Sequence, residues 1–349
     1  MKINFIAPST STVMGGGIRV IFRHANYLAE HGHDVMVYVP MIYCIGKKFI
    51  LKTTIANSIT RRARLDWMEH SFKTSTAFMI KDSFIRDADV TIATAWHTAP
   101  AVNKLSERKG AKVYFVQAYE IWNQDEREVD ATYMMDMHRI VITNKLHNLL
   151  KTKFGVDSAV VYNGHDASEY FHEEKKISKP YTIMMLWGSA YFKGCNKALE
   201  VLYNLHERYN FNVILFSVEP QPSGLPEYVT FYHRPERKLL ISLYQKADIY
   251  LFPSLSESWG LPVMEAMANK CAVVGMNSGI LEDICEDGKQ ALIAENGNYQ
   301  ELEEKVIRLL DNENLMRRLQ DAGYQFSLDF SWERQCALFE KELELACKK

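Results

Sequence analysis

Apolar and polar residues alternate along this chain on two length scales. Short apolar runs, each about one strand long, are followed by longer stretches whose apolar positions recur at helical spacing. Ile3–Ala7 reads as a first strand. Glycines follow, then a helix with the apolar face Val20, Ile21, Ala25 and Leu28, then a second strand over Val35–Val39. Further strands are predicted at Val90–Thr94, Val113–Val116 and Arg139–Thr143, and the run Val160-Val161-Tyr162-Asn163-Gly164 closes the series. The polar stretch from His165 to Pro180 reads as a linker. A second series then begins, with strands at Thr182–Trp187, Val213–Ser217, Ile249–Pro253 and Ala272–Gly275. Helices over Glu301–Leu310 and from about Ser331 to Ala346 finish it. Strands alternating with helices in this way predict an α/β fold of doubly wound parallel sheets covered on both faces. The expected domains are 1–165 and 166–330, followed by the last helix at about 331–349.

Composition narrows the possibilities without naming one. At 349 residues, 47% apolar and 24% charged, the chain can build two ordinary globular cores. A net charge of −2 argues against a protein whose main work is binding nucleic acid. The six cysteines, Cys44, Cys195, Cys271, Cys285, Cys336 and Cys347, include no C-x-x-C pair and read as reduced structural thiols of a cytoplasmic protein. No run of 18 uncharged apolar residues offers a membrane span, and the N-terminal run Met1–Pro8 is too short for a signal peptide.

The most informative string is Ser254-Leu255-Ser256-Glu257-Ser258-Trp259-Gly260-Leu261-Pro262-Val263-Met264-Glu265-Ala266-Met267-Ala268. A buried strand runs out into an acidic loop, and a helix then opens at Gly260 and Leu261 with Pro262 in its first turn, where a missing N–H costs nothing. The exposed N–H groups of such a helix start suit a diphosphate. Glu257 and Glu265 frame it, and carboxylates, which only accept hydrogen bonds, suit hydroxyl-rich groups such as a ribose diol or a sugar ring. A glutamate near a helix start is also favoured by the macrodipole alone, so either carboxylate by itself would say little. A second glycine-rich loop, Gly15-Gly16-Gly17-Ile18-Arg19-Val20, follows the first strand and lets backbone approach a ligand closely. It is not the dinucleotide-binding G-x-G-x-x-G, and no acidic residue ends the second strand as an NAD enzyme would require.

The Glu-x7-Glu spacing across Ser-Trp-Gly-Leu-Pro resembles the signature of the family-4 retaining glycosyltransferases. The resemblance covers nearly the whole chain and is strongest from Ala247 to Gly288, where Asn277-Ser278-Gly279-Ile280-Leu281-Glu282-Asp283 continues the pattern. It implies GT-B architecture, with two Rossmann-like domains facing across a cleft and a last helix, about 331–349, that returns to join domain 1–165. It also implies transfer of a sugar from a nucleoside diphosphate sugar, which is a substrate and not a cofactor, to a glycan or lipid-linked acceptor. The implied catalytic residues are Glu257, Lys193 and His97. The implied donor site comprises Gly16, Gly17, Arg19, Ser189, Arg234, Gly260, Leu261 and Glu265. Lys193, in Trp187-Gly188-Ser189-Ala190-Tyr191-Phe192-Lys193-Gly194, would neutralise the diphosphate. Ser189 stands where the family usually has an arginine, and Arg19 or Arg234 are candidates to supply that charge. Gln117, Tyr119 and Glu120 follow a strand end on the acceptor side. The glycine start and the Gln-x-Tyr-Glu run also resemble members that build bacterial surface polysaccharides, rhamnosyltransferases among them.

Two further patterns bear on metal and membrane binding. Asp87-Ala88-Asp89 looks like a metal-binding D-x-D, but it leads straight into Val90-Thr91-Ile92 as Asp248 leads into Ile249-Tyr250-Leu251, so these aspartates read as strand-entrance residues and no metal is expected. The segment 46–64 carries Lys47, Lys48, Lys52, Arg61, Arg62 and Arg64 among apolar residues with no acidic ones. It reads either as a solvated surface or as a patch for an anionic membrane, which would place the protein peripherally at the inner face of the cell membrane. The rival functions are another GT-B enzyme, an epimerase or a phosphorylase, and a non-catalytic nucleotide-sugar-binding protein.

Overall fold

A computed structural model describes residues 1–8, 16–45, 48–51, 69–121, 125–177 and 179–348. The chain divides into two compact units, Met1–Asn163 with Trp332–Lys349, and Gly164–Ser331. In the first, β1 (Lys2–Ile6) leads to α1 (Gly16–Glu30), β2 (Asp34–Ile45), β3 (Lys48–Leu51), β4 (Lys73–Met79) and β5 (Val90–Ala93). Then come α2 (Ala99–Asn103), β6 (Ala111–Val116), α3 (Glu126–Tyr133), β7 (His138–Val141), α4 (Asn144–Phe154) and β8 (Ala159–Val160). The sheet order is β3-β2-β1-β5-β6-β7-β8, with β4 also paired to β2. Every pairing is parallel except β2 with β3. The central strands bury Ile3, Phe5, Val90, Ile92, Val113 and Phe115 completely. Helices cover both faces of such a sheet, which is why its strands read as unbroken apolar runs.

The second strand runs on past Val39 to Ile45, and β3 and β4 were not anticipated from the sequence. β4, Lys-Thr-Ser-Thr-Ala-Phe-Met, pairs only with β2 and buries only Ala77, so its polar composition carries no strand pattern.

The second unit holds β9 (Tyr181–Leu186), α5 (Cys195–His206), β10 (Phe211–Ser217), β11 (Val229–His233), α6 (Arg237–Lys246) and β12 (Ile249–Phe252). It continues with α7 (Leu261–Ala268), β13 (Ala272–Met276), α8 (Ile280–Asp283), β14 (Ala291–Ala294), α9 (Tyr299–Asp311) and α10 (Glu313–Ser327). Its six strands are all parallel in the order β11-β10-β9-β12-β13-β14, which is the Rossmann order. The last helix, α11 (Trp332–Cys347), belongs to the first unit. It buries Trp332, Cys336, Phe339 and Leu343, one stripe at helical spacing.

The polar stretch read as a linker is packed into the second unit. His165 is buried, its N–H donates to the Phe330 carbonyl at 2.9 Å, and Nε2 meets the Ser327 carbonyl at 2.9 Å. Lys175 is buried as well. Its ammonium donates to the carbonyls of Tyr244, Ala247 and Asn269, at the C-terminal ends of α6 and α7. A cation there answers the negative end of two helix dipoles at once, which lets a lysine be buried without a carboxylate partner. Polarity therefore misled here, because the partners of His165 and Lys175 are backbone carbonyls distant in sequence.

The two aspartates read as strand-entrance residues each accept a neighbouring strand's N–H, Asp89 from Lys2 at 2.6 Å and Asp248 from Thr182 at 2.9 Å. Asp87 pairs with Arg108 and Lys109. Among the described residues the five cysteines are free, and no helix is long and apolar enough to cross a membrane. The basic segment 46–64 lies outside the described residues, apart from the backbone of β3.

Candidate functional site

In the second unit the strand order reverses between β9 and β12, and ligands of open α/β sheets bind beyond the carboxyl ends of the strands at such a reversal. The loops leaving these two strands are pressed together there. Gly194 has φ +65°, and a Cβ on it would lie 2.2 Å from the Pro253 carbonyl oxygen, so only glycine lets the loop after β9 lie against the loop after β12. The Leu255 N–H donates to the Phe192 carbonyl at 2.8 Å, which ties the loops further. Lys193 and Glu257, 64 residues apart in sequence, meet across this seam with Nζ 2.5 Å from Oε1. Ser254 Oγ donates to the same carboxylate oxygen at 3.3 Å. About a quarter or less of each of the two charged side chains is exposed, so the pair is shielded but reachable.

The loop bearing Glu257 is braced from behind. The Ile280 N–H donates to the Trp259 carbonyl at 2.7 Å, and Gly279 packs against Trp259 and the Glu257 Cβ where a side chain would not fit. Gly260, φ +92°, lies against the Phe252 ring and opens α7 at Leu261. Here the turn chemistry read from the sequence is the turn chemistry observed.

Glu265, one turn into α7, is almost fully buried. Its Oε1 is 2.8 Å from Arg237 Nη1 and its Oε2 accepts from the Tyr244 hydroxyl at 3.2 Å. Arg237 is gripped in turn by Glu169, which accepts from Nε at 2.6 Å and also from Nη2. Burial works against the Arg237 charge, but its hydrogen bonding to Glu169 and the charges of Glu265 and Glu169 prevail and raise its pKa. Arg237, Tyr244 and Glu169 were all missed by the sequence reading. They lie on α6 and in a short turn near the start of the unit, with no local motif to mark them.

Ser189 donates its backbone N–H to Glu219 at 2.8 Å. A carboxylate therefore stands beside the position where the family usually carries an arginine, and this too had no sequence signal. Arg234, at the end of β11, has φ +48°, and its Nε donates to the Val218 carbonyl at 3.2 Å.

The first unit has its own reversal, between β1 and β5. Gly16 and Gly17 start α1, and Arg19 lies half-buried on its first turn. A Cβ on Gly17 would touch the Gln117 amide at 3.4 Å, so these two predicted residues are neighbours. Gln117 Oε1 is buried and has no hydrogen-bond partner among the described residues. His97 Nε2 meets the Pro8 carbonyl at 2.8 Å, which places it over the end of β1. Glu120 Oε2 accepts from the Trp96 N–H at 2.7 Å, and burial of this carboxyl pushes its pKa up to about 7 against that bond. Tyr119 is committed elsewhere, to a cluster with Glu126, Asp130 and Lys153. Sequence adjacency had placed it with Gln117 and Glu120, but its hydroxyl is engaged with α3 and α4.

Known proteins share this architecture. A protein of Anabaena solved with UDP-glucose superposes with a TM-score of 0.74, covering 99% of both chains at 15% identity. The fold is therefore GT-B, with two Rossmann-like units. Residues 168–326 match the family described as glycosyl transferases group 1, a stretch that spans nearly all of the second unit. The second unit thus carries the group 1 glycosyltransferase match, on a GT-B fold. An uncharacterized glycosyltransferase of Methanocaldococcus jannaschii is 38% identical over 93 residues, 27% of this chain and 26% of that one. The N,N'-diacetylbacillosaminyl-diphospho-undecaprenol alpha-1,3-N-acetylgalactosaminyltransferase of Campylobacter jejuni is 27% identical over 179 residues, 49% of this chain and 46% of that one. This chain thus matches less than half the length of either curated relative.

Proposed function

We propose that this protein is a retaining, metal-independent glycosyltransferase that moves a sugar from a nucleoside diphosphate sugar to a glycan or lipid-linked acceptor in surface polysaccharide synthesis. The observation that carries the proposal is the Lys193–Glu257 pair beside the start of α7, at the strand reversal of the second unit. In the reaction the bond from the sugar C1 to the diphosphate oxygen breaks and a bond from C1 to an acceptor hydroxyl oxygen forms. The acceptor proton passes to the departing phosphate oxygen, so no protein nucleophile is required. Negative charge grows on the diphosphate, where Lys193 and the N–H groups of α7 are already in place to meet it. Glu257 is positioned for sugar hydroxyls and Glu265 for the ribose diol. His97 would meet the donor sugar, and Gln117, Tyr119 and Glu120 belong to the acceptor side.

The solved relative carries UDP-glucose, and the Campylobacter enzyme's name describes a sugar acceptor on a polyprenyl diphosphate. Both support the reading. The Glu219 carboxylate beside Ser189 favours a second one, a protein that binds nucleotide sugars without turning them over.

The test is a transfer assay with UDP-, GDP- and dTDP-linked sugars and undecaprenyl-diphosphate-linked monosaccharides, with EDTA throughout. The expected outcome is release of nucleoside diphosphate and a product with the donor's anomeric configuration by NMR. Donor binding without turnover would establish the second reading. Activity that appears only when Mg²⁺ or Mn²⁺ is restored would overturn the metal-free mechanism.

A further inference from the structure

Glu265 is held by groups that lie outside the Glu-x7-Glu motif. Arg237, at the first position of α6, reaches Oε1 at 2.8 Å, and the fully buried Tyr244, two turns along the same helix, reaches Oε2 at 3.2 Å. The carboxylate is thus fixed at both oxygens by one helix, while Asn269 donates to the Glu265 backbone carbonyl at 2.9 Å. The guanidinium does not swing free either. Glu169 takes it by two nitrogens, the paired geometry that fixes an arginine in plane as well as in position. The order of support runs from Glu169 through Arg237 to Glu265, with two carboxylates sharing one guanidinium.

We infer that Arg237 is a positioning residue for the nucleotide: clamped by Glu169, it holds the Glu265 carboxylate in one orientation, so that the carboxylate meets the ribose hydroxyls without having to reorganise. The inference rests on the proposed role of Glu265 as acceptor of the ribose diol and adds the residues that make that role possible. Preorganised acceptors discriminate more sharply than mobile ones, because a flexible carboxylate spends binding energy on being ordered.

The test measures discrimination between ribonucleotide and dideoxyribonucleotide, a quantity that general loosening of the fold would not alter selectively. UDP and GDP are titrated calorimetrically, and whichever binds is compared with its 2′,3′-dideoxy form. For Arg237→Gln the affinity for the ribonucleotide should fall about tenfold, the size expected for losing part of a hydrogen bond to charge. The dideoxy form should be nearly unaffected. Glu169→Gln, which keeps the guanidinium, should move the same way by less, and Arg237→Lys should recover part of the loss. Because Arg237 acts through Glu265, the double variant Arg237→Gln/Glu265→Gln should be no worse than Glu265→Gln alone. If Glu265→Gln abolishes the discrimination while Arg237→Gln and Glu169→Gln both keep it, the inference is overturned. Full discrimination by Glu265→Gln would instead overturn the ribose role itself, a different result. Should Arg237→Gln fail to fold, Arg237→Lys and Glu169→Gln decide the matter in the same assay.

Discussion

At the scale of single residues, the proposed chemistry rests on the Lys193–Glu257 pair. A lysine held at 2.5 Å by a carboxylate must change partners, or bridge, when a diphosphate arrives. That exchange costs something in the ground state and is recovered as charge builds on the leaving group. Lys193→Ala should therefore lower kcat by on the order of 10²-fold while the donor KM changes much less. Steady-state kinetics check this, and a variant with normal kcat would remove Lys193 from the catalytic set. Both members of the pair were legible in the sequence because each lies in a loop leaving an apolar strand, and strand ends are where α/β proteins keep their chemistry. Arg237, Tyr244 and Glu219 were not legible. Each acts through a partner far away in sequence, on an element whose own pattern describes only a helix or a strand end. Tyr119 shows the opposite failure, since a residue two places from Gln117 and next to Glu120 is turned to a different cluster.

At the scale of elements, α1 and α11 meet over a histidine. His24 is fully buried, its ring stacks on Phe339 at 4.2 Å and meets Phe115 and Trp332 edge-on, and neither nitrogen has a hydrogen-bond partner among the described residues. Burial lowers its pKa to about 3. The folded state thus keeps the ring neutral where the unfolded chain would protonate it. The sign follows directly. Stability from this site is intact above the unfolded pKa of about 6.5 and is lost as pH falls towards 3, by up to ~1.4 kcal/mol per pH unit. The difference in unfolding free energy between the protein and His24→Phe should accordingly be flat above neutrality and shift steadily in favour of the variant below pH 6. Urea titrations at several pH values measure it, and a pH-independent difference would show that the ring finds a proton partner. Among the elements themselves, the central strands were read correctly because two covered faces make them apolar throughout. The edge strand β4 and the packed stretch around His165 and Lys175 were not, since their polar side chains or few buried positions leave no apolar pattern to read.

At the scale of the molecule, the chain enters and leaves the second unit at one place. His165 forms a parallel bridge with Ser331 and donates its N–H to the Phe330 carbonyl, so the two ends of residues 164–331 are tied to each other within that unit. Expressed alone, 164–331 should fold cooperatively and bind the nucleotide, with the Arg237–Glu265 pair intact. Thermal unfolding with and without the nucleotide checks this, and a fragment without a cooperative transition would show that its core depends on the rest of the chain.

A stretch of polypeptide that departs where it arrived has a further property. It behaves as a cassette, with a plug whose two pins sit side by side. The segment matched to the group 1 family, 168–326, falls entirely inside that plug. A recombination event or a designer that cuts at these neighbouring pins can exchange one such segment for another and leave the unit formed by residues 1–163 and 332–349 as it was.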